Sequence, residues 1–357
     1  GVKMPQSMGL GGFTKPPKVN IQWQVQCIDV QSGKQIWATT ASTGNPKFPV
    51  HPSNTYATET PVVDENGIVA FFGATGTLAA MDHAGALRWQ HDLGAFATDS
   101  GFGTGSSIAI HKGIVFVQHF TKGSSIVAAF DTKTGEQRWK HERKGSGSSW
   151  SSPMVWNNTQ RSELIVSGGE LIESLDPANG AVLWQLGKVK APTACSIAAD
   201  SQRIYFGGSD PLSKGPLFAM SAGASGDITP KKMNTSFDHC DWLEFKAGPG
   251  MPSPVSDGKF VYVLDNNILR TYDASSGKRA YQTRVPDLNQ VASSPLVIGD
   301  KLLAIDDAGK AVLVQTGGEF KVIGGGSLSD TFWSTPAVSQ GAIYFRGVNS
   351  LYCVRKM

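Results

Sequence analysis

The densest set of side chains that could do chemistry lies at residues 237–242. Two carboxylates, an imidazole, a thiol and an indole follow one another there, as Asp238, His239, Cys240, Asp241 and Trp242. Such groups can ligate a metal ion or bind a polar ligand. Consecutive side chains diverge, however, so they seldom ligate one ion together. We therefore predict a packed loop insertion or a contact for a ligand or partner, and we assign no metal site.

A second candidate set is defined by position. Its members each stand three residues before a proline that opens a short apolar strand, and they are Thr58, Trp150, Met251, Ala292 and Trp333. Equivalent positions in repeated strands would ring the mouth of a central channel. Trp150 and Trp333 could stack there on a planar ligand or a sugar, or they could simply plug the channel.

Further polar side chains lie on long loops that we expect on the same face. They are His51, Tyr56, Asp99, His119 and Lys122. Tyr56 and His119 join Thr58, Trp150 and Trp333 as predicted contact residues for a ligand or partner, although a solvated loop residue is the plainer interpretation of each one alone. The sequence contains no G-x-S-x-G elbow, P-loop, H-E-x-x-H or dinucleotide fingerprint. No catalytic residue is assigned.

A sequence repeat predicts the strands that position these side chains. In this repeat Gly follows Asp by four residues and Trp follows Gly by four. Its full copies are Asp29-Gly33-Trp37, Asp131-Gly135-Trp139 and Asp176-Gly180-Trp184. Relaxed copies are Asp82-Gly85-Trp89 and Asp273-Gly277-Tyr281. Each copy predicts a hairpin in which Asp closes the turn, Gly takes a positive φ and Trp staples one repeat to the next, a tryptophan docking motif.

The spacing of the repeat predicts a β-propeller. Trp residues recur at positions 37, 89, 139 and 184, and each interval carries the signals of four short strands. Six fuller repeats are predicted at 56–93, 103–143, 149–187, 193–233, 248–285 and 292–328. Residues 1–20 are predicted to be loop, and residues 1–357 to form one propeller domain.

The number of blades follows from a count of the predicted strands. The first repeat supplies two strands, and the last, at 332–357, supplies three. We expect eight four-stranded blades, with the leading part of the first blade upstream of Gly1, and a closed seven-bladed ring is the alternative. Any signal peptide or lipid anchor would also lie upstream of Gly1.

Composition adds modest limits. Glycine is abundant, at 41 of 357 residues, and the net charge is only +3. The basic residues form no run, so nucleic acid is not an expected partner. No apolar run is long enough to predict a transmembrane segment.

The repeats resemble the pyrroloquinoline-quinone-type β-propeller family, whose unit reads x-D-x-x-T-G-x-x-x-W. The segment 131–139 matches this unit in full, and the resemblance extends from Gln22 to Arg355. Within the family, the stretch from Leu217 to Met220 followed by Gly226 to Thr229 resembles the degenerate blade of the bacterial outer-membrane assembly lipoproteins. The resemblance implies a bacterial periplasmic or secreted protein.

Two functions from different classes follow as expectations. The first is a non-catalytic, monomeric binding scaffold of the bacterial envelope or exterior, which recognises a protein or glycan through its long-loop face. The alternative is a dehydrogenase of alcohols or sugars that depends on pyrroloquinoline quinone (PQQ). The quinone enzymes of the family carry calcium and, in many, adjacent cysteines, whereas this chain has no Cys-Cys pair. We therefore expect no cofactor, because no specific residues support PQQ or calcium.

Overall fold

A computed structural model describes residues 15–51, 54–143, 147–169, 171–191, 194–210 and 213–355. Residues 1–14, on which most of the predicted N-terminal loop falls, lie outside this part of the chain. The chain divides into two units, Gly1–Val155 with Ser162–Leu183, and Trp156–Arg161 with Trp184–Met357. Within the described residues, no helix has the length and apolar character that a membrane crossing requires.

The described strands begin with a hairpin and three blades. The hairpin pairs β1 (Ile21–Ile28) with β2 (Gln35–Gly44). Blade 1 contains β3 (Val62–Asp64), β4 (Gly67–Phe72), β5 (Thr77–Met81) and β6 (Leu87–Asp92). A short 3-10 helix, η1 (Asp99–Gly101), precedes blade 2, which contains β7 (Ala109–His111), β8 (Ile114–Phe120), β9 (Ser125–Asp131) and β10 (Gln137–Glu142). Blade 3 contains β11 (Met154–Asn157), β12 (Ser162–Gly168), β13 (Leu171–Leu175) and β14 (Val182–Gly187).

Four further blades follow along the chain. Blade 4 contains β15 (Ala198–Ala199), β16 (Arg203–Asp210), β17 (Ser213–Ser221) and β19 (Cys240–Glu244), while β18 (Gly226–Asp227) pairs in parallel with β14. Blade 5 contains β20 (Val255–Ser256), β21 (Phe260–Asp265), β22 (Ile268–Asp273) and β23 (Arg279–Arg284). Blade 6 contains β24 (Leu296–Ile298), β25 (Lys301–Ile305), β26 (Lys310–Gln315) and β27 (Val322–Ser327). Blade 7 contains β28 (Ala337–Ser339), β29 (Ala342–Arg346) and β30 (Leu351–Arg355).

The burial of the strands explains why the blades stack face to face. In blade 1 every residue of β5 is buried, whereas the outer strand β6 is mostly exposed. A middle strand that is apolar on both faces needs cover on both sides, which neighbouring blades provide. In the first unit Phe71, Leu78, Val117 and Phe130 belong to one core that joins blades 1 and 2. Similar cores join blades 4 and 5, and blades 5 and 6, in the second unit.

The repeated turns have the predicted chemistry. The carboxylate of Asp131 accepts backbone N–H groups from Lys133 and Thr134 at 2.9 and 2.8 Å. Gly135 takes a φ of +76°, a left-handed conformation that glycine adopts without strain. The Asp-to-Gly spacing therefore encodes a tight turn between the third and fourth strands of a blade.

Four tryptophans lie over the turn glycine of the following repeat. A Cβ added to that glycine would come within 2.6–2.7 Å of the indole in the pairs Trp37–Gly85, Trp89–Gly135, Trp139–Gly180 and Trp242–Gly277. Each indole Nε1 also donates to a backbone carbonyl of the same turn, at 3.0–3.1 Å. The absence of a side chain at the glycine is what lets the ring approach.

The expectation of eight blades is wrong. Seven described sheets have three strands or more, which matches the seven-bladed alternative, and β1 and β2 form only a two-stranded hairpin. The prediction assigned this hairpin to an eighth blade because the hairpin carries the Asp29-Gly33-Trp37 repeat. Among the described residues no inner strand pairs with it.

The boundaries of the fourth repeat also differ from the prediction. The repeat was expected to end at 233, but its fourth strand is β19, which contains Cys240 and Trp242. The long hairpin strands of this repeat are β16, which reaches Asp210, and β17, which begins at Ser213. The end of the repeat was predicted too early because β18, between β17 and β19, joins the neighbouring sheet. The fourth strand therefore comes later than the repeat spacing indicates.

Candidate functional site

Two loops of the first unit converge on the segment 98–105. Asn54 Nδ2 donates to the carbonyls of Phe102 and Thr104, at 3.3 and 2.9 Å. From the other side, the carboxylate of Asp99 accepts the backbone N–H of Ser148 at 2.7 Å, and Ser148 Oγ accepts the backbone N–H of Asp99 at 2.8 Å. These bonds fix loops that are far apart in sequence into one surface.

Two aromatic rings anchor this surface. Trp150 Nε1 donates to the carbonyl of Gly103 at 2.5 Å, and the rings of Trp150 and Phe102 pack edge to face with centroids 5.7 Å apart. His51 packs against the same Phe102 at 5.6 Å. All three rings are only half-buried. We call His51, Phe102 and Trp150, with Thr58 and the Asp99–Lys122 pair beside them, the aromatic loop surface.

The structure brings some predicted contact residues together and separates others. Thr58 is exposed and lies beside Trp150, because both side chains flank the position of a Cβ on Gly105, at 3.6 and 3.4 Å. Lys122 and Asp99 approach within 3.8 Å and remain largely exposed. Tyr56, by contrast, is buried: its carbonyl accepts the indole N–H of Trp23 at 2.7 Å, and burial raises the pKa of its phenol.

His119 is buried as well, in a small cavity of the first unit. The cavity measures about 10 Å³, close to the smallest volume that holds one water molecule, and Glu59, Gln118 and Thr98 are among its lining residues. The imidazole packs between Phe71 and Phe96, with centroids 5.4 and 5.5 Å away, and neither ring nitrogen has a hydrogen-bond partner among the described residues. Burial lowers the pKa of His119 to about 4, so the ring is neutral at neutral pH.

Glu59 is the second titratable group of the cavity. One carboxyl oxygen accepts the backbone N–H of Gly73 at 3.2 Å, while Oε2 is buried without a partner. Burial raises the pKa of Glu59, against the effect of its hydrogen bond with Thr104. Glu59 and His119 both line the cavity, which has room for about one water molecule and therefore none for a sugar.

The cluster at 237–242 does not form a single site. Asp238 is 82% exposed, and His239 Nε2 lies 4.0 Å from its carboxylate. Asp241 accepts an N–H from Arg203 Nε at 2.6 Å, and Trp242 is buried over Gly277. Asp238 and His239 lie in the turn before β19, whereas Asp241 and Trp242 are consecutive residues of that strand and point to opposite faces.

Trp333 belongs to the second unit. Its ring is half-buried, and its Nε1 is enclosed without a hydrogen-bond partner. Of the other two residues placed in the predicted ring within that unit, Met251 is 51% exposed and Ala292 is buried. Trp150 and Trp333 lie in different units, so their roles as channel residues stay predictions.

The dehydrogenase alternative requires a binding site for calcium. Calcium takes six to eight oxygen ligands, chiefly from carboxylates, amides and carbonyls. In residues 15–355, outside the gaps given above, no group of three or more Asp, Glu, His or Cys side chains is arranged to hold a metal ion. Glu59 offers one carboxylate in a cavity too small for a quinone. Among the described residues, the acidic side chains are therefore not grouped as a calcium cage requires.

Sequence reasoning missed two residues, Phe102 of the aromatic loop surface and Glu59 of the cavity. Phe102, which contacts both His51 and Trp150, stands in the glycine-rich stretch 101–105, and no local pattern marks it as a contact residue. Glu59 immediately follows Thr58 in the sequence and could have been noticed as a carboxylate on the way into an inner strand. Its burial could not be read from the sequence, because it depends on Gly73 and Thr104 from other loops.

The fold is shared with several solved structures. BamB from Moraxella catarrhalis matches with a TM-score of 0.66 and 13% identity, over 96% of this chain and 99% of that one. The quinohemoprotein alcohol dehydrogenase from Comamonas testosteroni matches with a TM-score of 0.59 and 14% identity, over 91% of this chain and 67% of that one. The computationally designed Ika8 protein matches with a TM-score of 0.57 and 11% identity, over 84% of each chain. At these identities the likeness shows the fold alone.

Sequence comparison is more specific about the family. No curated protein matches the chain at a significant level. The sequence profile described as outer membrane protein assembly factor BamB, however, matches residues 23–199 and 168–356. These two matches together extend over almost the whole chain, and they confirm the resemblance that the repeats indicated. The chain therefore belongs to the family of the outer membrane protein assembly factor BamB.

Proposed function

We propose that this protein is a non-catalytic scaffold of the bacterial envelope, located in the periplasm, which binds a protein partner through the aromatic loop surface of its first unit. The family supports an envelope role, because its description is that of an assembly factor for outer membrane proteins. In this role the protein is a monomer, and its Trp–Gly contacts act as tryptophan docking between blades.

The observation that carries the proposal is the packing of Trp150 and Phe102. Their half-buried rings are held in place, since the indole N–H is bonded to Gly103 and the rings pack against each other. Aromatic side chains that are rigid and partly exposed are enriched among residues that dominate protein–protein binding energy. Asp99 and Lys122 at the edge add charges of both signs, as the polar rim of an interface does.

A protein partner is favoured over a glycan by the same geometry. Sugar sites combine an aromatic platform with several convergent polar groups, whereas the polar atom of Trp150 is already engaged by the Gly103 carbonyl. The dehydrogenase alternative is not favoured by any residue of the cavity. A titration with PQQ and calcium, followed by tryptophan fluorescence and dye-linked oxidation of alcohols, tests it directly.

The proposal is tested by complementation in a bacterium that lacks its own member of this family. We expect Trp150→Ala and Phe102→Ala each to lower the level of assembled outer membrane proteins, while the purified variants keep the circular dichroism spectrum of the wild type. Val63→Ala is the matched control, because Val63 is 59% exposed in the same unit but lies on β3, away from the loops. Full complementation by both loop variants would refute the proposed surface.

A further inference from the structure

A second surface, rich in lysine, lies in the second unit and differs in character from the aromatic loop surface. We define the lysine surface by six lysines and three exposed apolar side chains: Lys188, Lys190, Lys214, Lys231, Lys232, Lys246, Met233, Phe245 and Met251. Met233, Phe245 and Met251 are 48%, 67% and 51% exposed. All the other large apolar side chains with comparable exposure in the described chain are Val, Ile or Leu.

Hydrogen bonds join the segments that carry these residues. Lys188 Nζ donates to the carbonyl of Lys231 at 3.4 Å, and the backbone N–H of Asn234 donates to the carbonyl of Lys188 at 2.9 Å. The side chain of Asn234 in turn accepts the backbone N–H of Lys190 at 2.8 Å. The segment 231–234 is thereby fixed beside Lys188 and Lys190, with Met233 exposed.

The surface continues from Lys190 to Phe245. Lys190 Nζ donates to the carbonyl of Ser213 at 2.9 Å, next to Lys214. The backbone N–H of Gly248 donates to the carbonyl of Gly215 at 2.8 Å, which holds the segment 245–251 against the start of β17. Phe245 and Lys246 therefore lie beside the lysines of the neighbouring segments.

The charge of this surface is positive where it is accessible. Asp265, which lies close to Met251 through Gly250, is already paired with Lys214 and with Arg270, the latter at 3.6 Å. Asp241 is paired with Arg203. Three other carboxylates flank the surface and reduce its charge, namely Asp227, Asp238 and Glu244. With Lys214 paired to Asp265, the five remaining lysines outnumber these three carboxylates, and four of the five are exposed.

We propose that the lysine surface docks on a phospholipid bilayer that contains anionic lipids. Lysine is depleted in protein–protein interfaces, whereas lysines around exposed aromatic and methionine side chains provide both attraction to lipid phosphates and apolar groups that enter the interface. In the lysine surface, exposed Met and Phe side chains are surrounded by lysines. This arrangement complements an anionic bilayer, which apolar side chains can enter. The inference does not depend on the proposed function, because it concerns other residues in the other unit.

The test is vesicle flotation of the purified chain. We expect binding to vesicles of phosphatidylglycerol and phosphatidylcholine in equal parts, no binding to pure phosphatidylcholine, and release by high salt. Phe245→Ala should weaken binding about ten-fold, because the phenyl group no longer enters the interface. The double variant Lys231→Gln with Lys232→Gln should weaken it about twenty-five-fold, since each lysine near an anionic surface contributes roughly five-fold.

Two controls separate this surface from general charge and apolar effects. Lys133→Gln with Lys278→Gln changes the net charge equally at exposed turns elsewhere, and Leu351→Ala removes a side chain that is 48% exposed on β30. Both control variants should bind as the wild type does. Equal weakening by the controls would overturn the proposal. So would a wild type that floats with neither kind of vesicle, in which case an acidic protein surface becomes the alternative partner.

Discussion

The contact between Trp139 and Gly180 gives the sharpest test of how the blades are held together. The indole Nε1 donates to the carbonyl of Pro177 at 3.0 Å, and only 8% of Trp139 is exposed. A Cβ at position 180 would lie 2.6 Å from Cε3 of the indole. In Gly180→Ala the added methyl group and the hydrogen-bonded ring therefore cannot both keep their places.

The expected loss of stability has two parts. Gly180 has a φ of +74°, and a left-handed conformation costs an L-residue about 1–2 kcal/mol. Displacing a packed ring adds about 1–3 kcal/mol. Gly33→Ala isolates the first part, because Gly33 has a φ of +69° and no described atom within 4 Å of the added Cβ. We expect Gly180→Ala to lower the free energy of unfolding by about 1–3 kcal/mol more than Gly33→Ala does.

The assay is equilibrium urea unfolding followed by far-ultraviolet circular dichroism, which does not depend on the tryptophan signal. A double-mutant cycle with Trp139→Ala completes it. Without the indole, the cost of Gly180→Ala should fall to that of Gly33→Ala. Equal costs for the two glycine variants in the wild-type background would refute the reasoning, as would an unchanged cost of Gly180→Ala after the indole is removed.

Three other predictions test separate parts of the fold. Trp242→Phe should destabilise the protein by about 1–2 kcal/mol in the same unfolding assay, since it removes a satisfied hydrogen bond and packing area. Trp333→Phe should be neutral or stabilising, because the N–H that it removes has no partner among the described residues. The free energy of unfolding should fall as the pH is lowered from about 6.5 towards 4, because His119 binds a proton in the unfolded chain but not in the folded one. The loss is on the order of 3 kcal/mol. His119→Gln should remove this part of the pH dependence. Cys353 is exposed and should react with iodoacetamide in the native protein, while Cys195, whose pKa burial raises to about 12, should react only after unfolding; mass spectrometry of the alkylated peptides distinguishes the two.

Repeated local signals made the blades predictable from the sequence. Asp131 and Gly135 encode their turn through contacts within a few residues, so the same residues recur wherever the same turn is needed. Trp242 was harder to place. The residue lies in the fourth strand of blade 4, which comes late because β18 joins another sheet. Trp242 therefore does not follow the spacing of the other tryptophans.

The candidate site depended on contacts that no local pattern records. Trp150 was identified from its place before Pro153, but its anchoring by Phe102 and Gly103 joins loops 47–48 residues apart. The polar residues Tyr56 and His119 were expected at a surface and are buried, since neighbouring loops cover them.

By itself, the sequence determined the family, the four-stranded repeat and the turn chemistry, because these rest on hydrogen bonds and side-chain alternation within one hairpin. Only the tertiary structure decided the seven blades, the burial of His119 with Glu59 and the exposure of Phe245 among lysines. Whether a side chain is buried or exposed depends on which distant segments pack over it, and that packing is a property of the folded chain rather than of any single repeat.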